Sequence, residues 1–222
     1  MTIQKQADAL WDALKKELPD KLVEDLDAGR DEIMAAGVEQ RCLSVGDKAP
    51  DFRLPSATGT SVSLSQVLSQ GPVVLVFYRG DWCPYCNLAL RAYQNSLAEF
   101  QAAGASLIAI SPQMPDHASA TRHKNALAFE VLSDEGCQVA ARYGLAFDMP
   151  AKHVEVLASV GLPQGNREGD TVNRIPLPAT YVIDGYGKIT WAHIDPDYRA
   201  RAETEDIVMA LRALQYFPSA HT

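Results

Sequence analysis

The segment Val73-Val-Leu-Val-Phe-Tyr-Arg-Gly-Asp-Trp-Cys-Pro-Tyr-Cys86 narrows the folds open to this chain more than any other stretch. Val73–Tyr78 is an unbroken apolar run with valine-rich β propensity, as a strand buried on both faces requires. A tight turn follows, and then two cysteines stand two residues apart where a helix begins. Pro84 suits the first helical position, because the N–H it lacks would have no partner there, and this makes Cys83 the N-cap. Unpaired backbone N–H groups and the positive end of the helix dipole converge on such a site. They stabilise a thiolate, the form of cysteine that attacks disulfides and peroxides. Cys86, three positions on, comes within reach of a disulfide with Cys83. The segment predicts a redox dithiol.

The residues after the pair assign roles. Cys86, Leu90, Tyr93, Leu97 and Phe100 recur at steps of four, three, four and three, the spacing of one helical face. That face must pack on the sheet, so Cys86 begins the buried stripe and Cys83 occupies an exposed tip. On this reading an exposed Cys83 of low pKa attacks and a shielded Cys86 resolves. Half of a zinc site would need two more soft ligands at close spacing. Cys42 and Cys137 are isolated and no closely spaced histidine pair exists, so no metal or organic cofactor is expected. A purely structural disulfide fits the strand–turn–CxxC–helix context less well.

With 222 residues, 47% of them apolar, the chain can bury a sizeable core without staples. The formal net charge of −8 and the absence of a Lys/Arg block make nucleic acid or an anionic membrane poor partners. The N-terminus has no continuous apolar stretch of the secretory kind, and no apolar run reaches membrane-spanning length. Few cysteines, two of them in CxxC, suit a reducing compartment, and the cytoplasm is the expected location.

Three parts are expected: an N-terminal helical extension over residues 1–43, an α/β domain over 44–216, and a short tail over 217–222. Residues 3–38 read as two helices broken near Pro19, with Leu10, Trp11 and Leu14 on one face and Leu22, Leu26 and Ile33 on another. A packing appendage is the preferred reading of this extension over a dimerisation arm or a cover for the site. A hairpin is expected around Ala57-Thr-Gly-Thr60, a helix over 84–102 ending at Gly104, and a parallel strand over Ser106–Ile110. Helices over 116–125, 138–143 and 203–214, a strand over 129–132, and a hairpin of Thr180–Ile183 with Lys188–Ala192 complete the domain. Residues 145–176 interrupt this rhythm as an irregular insertion, the kind of segment that serves as a lid or binding loop.

The order strand, CxxC helix, strand, then Pro178-Ala-Thr-Tyr-Val-Ile-Asp184 and a hairpin, resembles the thioredoxin fold. Within it Gly46-Asp-Lys-Ala-Pro-Asp-Phe52, Phe77-Tyr78, Val131-Leu-Ser-Asp134 and Tyr143-Gly-Leu145 look like the peroxiredoxin, or alkyl hydroperoxide reductase/thiol-specific antioxidant, family over about residues 44–214. Trp82-Cys-Pro-Tyr-Cys86 itself is similar to thioredoxin and glutaredoxin active sites. Peroxiredoxins carry Pro-x-x-x-Thr-x-x-Cys after the Phe-Tyr strand. Here Arg79 stands for the proline, Cys83 for the threonine, and Cys86 falls at the peroxidatic position. They also place an arginine just before the Phe-Ile-Ile-Asp-like strand, where this chain has Pro178. Thioredoxins have a cis-proline at that point, so the resemblance implies a cis Leu177–Pro178 bond lying against the dithiol. The peroxiredoxin register makes Cys86 the attacker and the thioredoxin register makes it Cys83; the helix-face argument favours Cys83.

Arg79 precedes Cys83 and reads equally as a thiolate or peroxide partner and as a solvated turn residue, and it is the one cation expected near the pair. Trp82 is expected to pack at the rim beside Asp81. Cys137 reads as a structural thiol rather than a resolving one, and Cys42 is not expected to react. His117, His123 and His153 show no ligand or triad spacing. Asp195-Pro-Asp-Tyr-Arg199 reads as a surface turn. The expected function is a thiol-dependent antioxidant oxidoreductase that reduces hydroperoxides through a Cys83/Cys86 disulfide, slower than a peroxiredoxin with the full Pro/Thr/Arg set. The resemblance implies a thioredoxin- or glutaredoxin-type reductant, and a homodimer is one expectation for assembly. A disulfide reductase and a redox-sensing binding module are the alternatives; a side-by-side rate with hydrogen peroxide and a protein disulfide separates the two enzymes, and low turnover marks the sensor.

Overall fold

Because Val73–Phe77 (β3) is apolar at every position, it can lie where both faces and both edges are covered, and it does. It is the middle strand of a five-stranded sheet in a computed structural model that describes residues 1–162 and 173–216, and all five of its residues are buried. Ser106–Ser111 (β4) pairs with it in parallel, with Val73 opposite Ser106 and Phe77 opposite Ile110. Glu130–Ser133 (β5) extends the parallel side. On the other edge Ala179–Ile183 (β8) runs antiparallel to β3, with Phe77 opposite Ala179, and Ile189–Ile194 (β9) forms the outer hairpin strand. The sheet order is therefore β5-β4-β3-β8-β9, a mixed sheet whose middle is closed to solvent on both sides.

The hairpin of Arg53–Pro55 (β1) and Ser61–Ser63 (β2) forms as expected, and it leans on β5 through a bridge between Ser56 and Leu132. After β3 the chain turns and enters the helix Pro84–Asn95 (α4), with Cys83 as its N-cap and Pro84 at its first position. The expected continuous helix to residue 102 is broken. Ser96 leaves helical torsions (φ −95°, ψ 5°), and a second helix, Leu97–Ala102 (α5), follows. The apolar stripe survives the break, since Leu90, Tyr93, Leu97 and Phe100 are all buried. Shorter helices at Leu64–Leu68 (α3), Pro115–Lys124 (α6) and Gln138–Arg142 (α7), and Thr204–Tyr216 (α9), complete the layers around the sheet.

The N-terminal residues form two helices, Ile3–Glu17 (α1) and Asp20–Ala35 (α2), separated at Leu18-Pro19 as the sequence indicates. Polar groups fix their positions. Glu203 accepts from the free N–H groups of Ile3 and Gln4 at 2.7 and 2.9 Å, a carboxylate at a helix N-terminus. Asp27 pairs with Arg199 at 3.3 Å and Asp25 with Lys152 at 3.2 Å. Lys152 belongs to Ala151–Ser159 (α8), which lies against α2. Gly29 makes that approach work: a Cβ there would stand 2.0 Å from His153 Nδ1. A glycine inside a helix costs about 1 kcal/mol relative to alanine, and here it admits the buried His153 ring.

Within the insertion, Ala146–Asp148 (β6) and Arg174–Pro176 (β7) pair antiparallel, a small sheet that the sequence did not reveal. Residues 163–172, with the Gly-rich part of that insertion, lie outside the described residues, as does the tail at 217–222. The Leu177–Pro178 bond is trans, against the expectation of a cis-proline. The physical reason lies in the path. The chain runs extended from β7, through Leu177 whose N–H donates to the Leu145 carbonyl at 2.9 Å, straight into β8, with no reversal for a cis bond to make. Among the described residues no helix is long and apolar enough to cross a membrane.

Candidate active site

The loop between β3 and α4 is held from two sides. Gly80 has φ +152°, and a Cβ there would meet Trp82 Nε1 at 2.5 Å, so the turn needs a glycine. The buried Gln113 accepts from the Asp81 N–H at 2.8 Å and donates to the Asp81 carboxylate. Asn87, one turn into α4, donates to the carbonyls of Asp81 (2.7 Å) and Cys83 (3.1 Å), and Asn125 donates to the Asn87 side-chain oxygen at 2.9 Å. A fully bonded buried network of this kind fixes geometry. It sets the backbone from which Cys83 and Cys86 project.

Both thiols are free and both are only 1% exposed. Cys83 is therefore not the exposed tip that the helix-face argument gives. Trp82, Tyr198, and Trp11 and Leu14 of α1 stand around it. Arg79 is no solvated turn residue either, being 2% exposed. Its guanidinium lies 4.6 Å from the Trp82 ring centre and 4.2 Å from that of Tyr198, a cation held between aromatic faces. Tyr198 lies in the segment 195–199 that reads as a surface turn. It is buried, so that segment does fold over the site.

A second arginine completes the centre. Arg201, 7% exposed, donates from Nη2 to Cys86 Sγ at 3.3 Å, and its Nη1 donates to the carbonyls of Ala200 (2.6 Å) and Tyr198. The expectation that Arg79 is the one nearby cation is thus corrected. The arginine missing before β8, where Pro178 stands, is matched by one from the far side of the β8–β9 hairpin. Pro178 keeps its predicted neighbourhood without the cis bond. With Cys86, Thr180, His193 and Arg201 it lines a cavity of about 10 Å³, room for about one water molecule.

These contacts separate the two thiols. Burial raises the pKa of Cys86, but the Cys83 S–H that bonds to it, Arg201, and the backbone N–H and guanidinium of Arg79 overcome that effect and hold it well below an ordinary thiol. Cys83 goes the other way. Burial, its hydrogen bond to Cys86 and the Cys86 negative charge push it well above the ordinary value, against the weaker pull of Arg79 and Arg201. The order of the two shifts is opposite to the expected one, with Cys86 the thiol held low and Cys83 the thiol pushed up. The other cysteines are pushed up by the same physics. Burial first, with the Glu39 charge, raises Cys42 to about 11, and burial first, with Asp134, raises Cys137 to about 12. Each sulfur bonds to backbone carbonyl oxygen, Cys42 to Val38 and Cys137 to Arg174, both at 3.3 Å.

Sequence reasoning missed Arg201, Tyr198 and His153. His153 on α8 is 1% exposed, neither of its ring nitrogens has a hydrogen-bond partner, and its ring centre lies 6.0 Å from that of Tyr198. Burial, helped by the Arg79 charge, lowers its pKa to about 4, so it is neutral near pH 7. Arg201 had a faint signal, as a second arginine two residues after Arg199. Nothing local says which of the two turns inward. Among the described residues no group of three or more His, Cys, Asp or Glu side chains is placed to hold a metal ion.

A dithiol at the start of the helix that follows the central strand of a mixed sheet defines a thiol oxidoreductase site on a thioredoxin-like fold. Comparison with known proteins narrows the class. The AhpC/TSA family profile matches residues 45–192, and the chain belongs to that family. A Mycobacterium tuberculosis protein named as a peroxiredoxin is 30% identical over 150 residues, which cover 68% of this chain and 84% of the relative. The chloroplastic peroxiredoxin Q of Populus jackii is 33% identical over 126 residues, covering 55% of this chain and 59% of its own length. Among solved structures, the peroxidoxin BcpB of M. tuberculosis superposes with a TM-score of 0.60 at 26% identity, over 78% of this chain and 98% of that one. The reduced 2-Cys peroxiredoxin of Plasmodium vivax shares the fold with a TM-score of 0.62 at 19% identity, over 79% of this chain and 84% of that one.

Proposed function

We propose that this chain is a thiol-dependent hydroperoxide reductase in which Cys86 is the attacking residue and Cys83 the resolving one. The observation that carries the assignment is the 3.3 Å contact of the buried Arg201 guanidinium with Cys86 Sγ, which supports a thiolate on that sulfur alone. The thiolate attacks the terminal oxygen of the peroxide. An S–O bond forms as the O–O bond breaks, and the departing alkoxide or hydroxide takes a proton from solvent. Charge grows on that oxygen as the bond breaks, and Arg201 and Arg79 are fixed in place to meet it. Cys86 is then a sulfenic acid. The Cys83 sulfur attacks it, S–S replaces S–O, and the Cys83 proton leaves with the hydroxide as water. A thioredoxin-type dithiol closes the cycle by reducing the disulfide. Pro84 sets the helix start, and Trp82 backs the Arg79 guanidinium; both support the site without reacting.

The burial of both sulfurs disfavours protein disulfides as primary substrates, since such a substrate must bring its own sulfur onto one of these. The cysteine roles are tested by single-turnover oxidation with hydrogen peroxide. Cys83→Ser should still consume one equivalent of peroxide and accumulate a dimedone-reactive sulfenic acid, but should not cycle. Cys86→Ser should lose the reaction by at least about three orders of magnitude, to the level of an ordinary thiol. The opposite pattern, with the sulfenic acid on Cys83, would overturn the assignment.

A further inference from the structure

We propose that the N-terminal helices add a hydrocarbon-binding subsite to the dithiol, so that Trp11, Leu14 and Leu26 set which hydroperoxides the chain prefers; this rests on the peroxide reading above. A cavity of about 60 Å³ opens against Cys83. Its walls include Trp11 and Leu14 of α1, Leu26 of α2 and Leu157 of α8, with Arg79 and Cys83 on the side of the core. The three residues from α1 and α2 lie outside the segment 45–192 that carries the family match. The extension therefore does more than pack, because it supplies one wall of a chamber whose other wall carries Cys83 and Arg79.

The chemistry of the walls selects the occupant. A buried water needs two to four polar partners, and an apolar cavity that offers fewer stays dry and takes up apolar molecules instead. This one is larger than the minimum for a water, and leucine, tryptophan and tyrosine side chains dominate its walls. Two polar groups in the walls lack partners: the Tyr85 hydroxyl, and Nε of Arg79, which is 2% exposed and donates from Nη2 to Met149 Sδ at 3.5 Å. A buried charged donor left unpaired is costly, and it suits a ligand with an apolar body and an oxygen at one end. Sites of this composition, mostly apolar with one or two placed polar groups, are the usual form of small-molecule pockets. The cavity beside Cys86 holds about one water and has no space for such a body. Of these two cavities, the one on the Cys83 side has the room for the hydrocarbon part of a branched alkyl or aryl hydroperoxide, with the peroxide end toward Arg79 and Cys83.

The test compares kcat/KM for cumene hydroperoxide and for hydrogen peroxide, with dithiothreitol as reductant. Leu14→Phe adds volume at a half-buried helical position, and Leu157→Phe fills the chamber from a different element; circular dichroism checks that each is folded. One or two carbons in a hydrophobic pocket change selectivity by about 10- to 200-fold. The cumene/hydrogen peroxide ratio should fall about 10-fold or more in each folded variant, with hydrogen peroxide turnover within about 2-fold of wild type. Leu14→Ala, which enlarges the chamber, should not lower the ratio. Equal loss on both substrates, or an unchanged ratio in the filling variants, would overturn the subsite and leave the peroxidase reading standing. Absence of Cys86-dependent turnover with either peroxide in the wild type would overturn both.

Discussion

The two sulfurs sit one helical turn apart, yet their surroundings differ as much as any two regions of this molecule. Cys86 faces a tight, charged space with Arg201 in hydrogen-bonding contact and room for about one water. Cys83 faces an apolar chamber of about 60 Å³ roofed by the N-terminal helices. Position on the helix would give the N-cap residue, Cys83, the lower pKa. The neighbours pull the other way: the Cys83 thiol first, then Arg201 and Arg79, lower the pKa of Cys86 against its burial. The lesson is that a helix start prepares an anion site, and the packed side chains choose which atom occupies it.

The largest effect should come from breaking the charged side. Arg201→Met keeps much of the buried stem and removes the charge from Cys86. The thiolate absorbance of Cys86 should then titrate at higher pH, and its reaction with hydrogen peroxide at neutral pH should slow by about two orders of magnitude, the usual loss for one preorganised donor. In the wild type the rate should hold as pH falls below the ordinary thiol range and drop only as the lowered Cys86 pKa is crossed. An unchanged titration in Arg201→Met would mean that Arg79 and the backbone hold the thiolate without it.

The apolar side should respond to acid. His153 is neutral in the folded chain, with a pKa of about 4 against an ordinary 6.5. The fold favours its uncharged form, so that contribution is complete above about pH 6.5 and is lost as pH falls toward 4. The lost stability should approach roughly 3 kcal/mol at 1.36 kcal/mol per pH unit. Urea unfolding from pH 7 to 4 should show this slope in the wild type and a flatter one in His153→Leu. Parallel slopes would place the acid sensitivity elsewhere, and not at Asp197, whose pKa, raised to about 6 chiefly by burial, adds stability as pH falls.

A smaller effect sharpens the same side. Gly29→Ala should destabilise by about 1–2 kcal/mol, because the clash with His153 exceeds the gain of about 1 kcal/mol that alanine brings to a helix interior. A gain in stability by chemical denaturation would show that α2 and α8 can separate cheaply, and that the roof over Cys83 is loosely held.

These contrasts also show where the sequence is readable. The central strand, the helix start at Cys83-Pro84 and the stripe from Cys86 to Phe100 are local patterns, and each survives in the structure apart from the break at Ser96. The surroundings of the cysteines are not local. Arg201 reaches Cys86 across 115 positions of sequence, and Tyr198, whose Asp-rich stretch suggests solvent, is buried beside Cys83. The periodicity of α1 and α2 announces that Trp11 and Leu14 have a buried side, but it cannot name the surface they meet. Pro178 shows the reverse error, where a familiar dipeptide position suggested a cis bond and the extended entry from β7 into β8 left no use for one.

The two cysteines share the first turn of α4, so the proposed resolving sulfur stands next to the proposed attacking one before any oxidant arrives. The sulfenic acid would thus be born beside its own quencher, with no helix to unwind and no second subunit to wait for. Oxidation beyond that stage to sulfinic acid needs a second peroxide to win a race against a neighbour already in place. A catalyst built this way should tolerate a burst of oxidant well, and what would limit it during such a burst is the supply of reducing equivalents, not irreversible loss of its thiol.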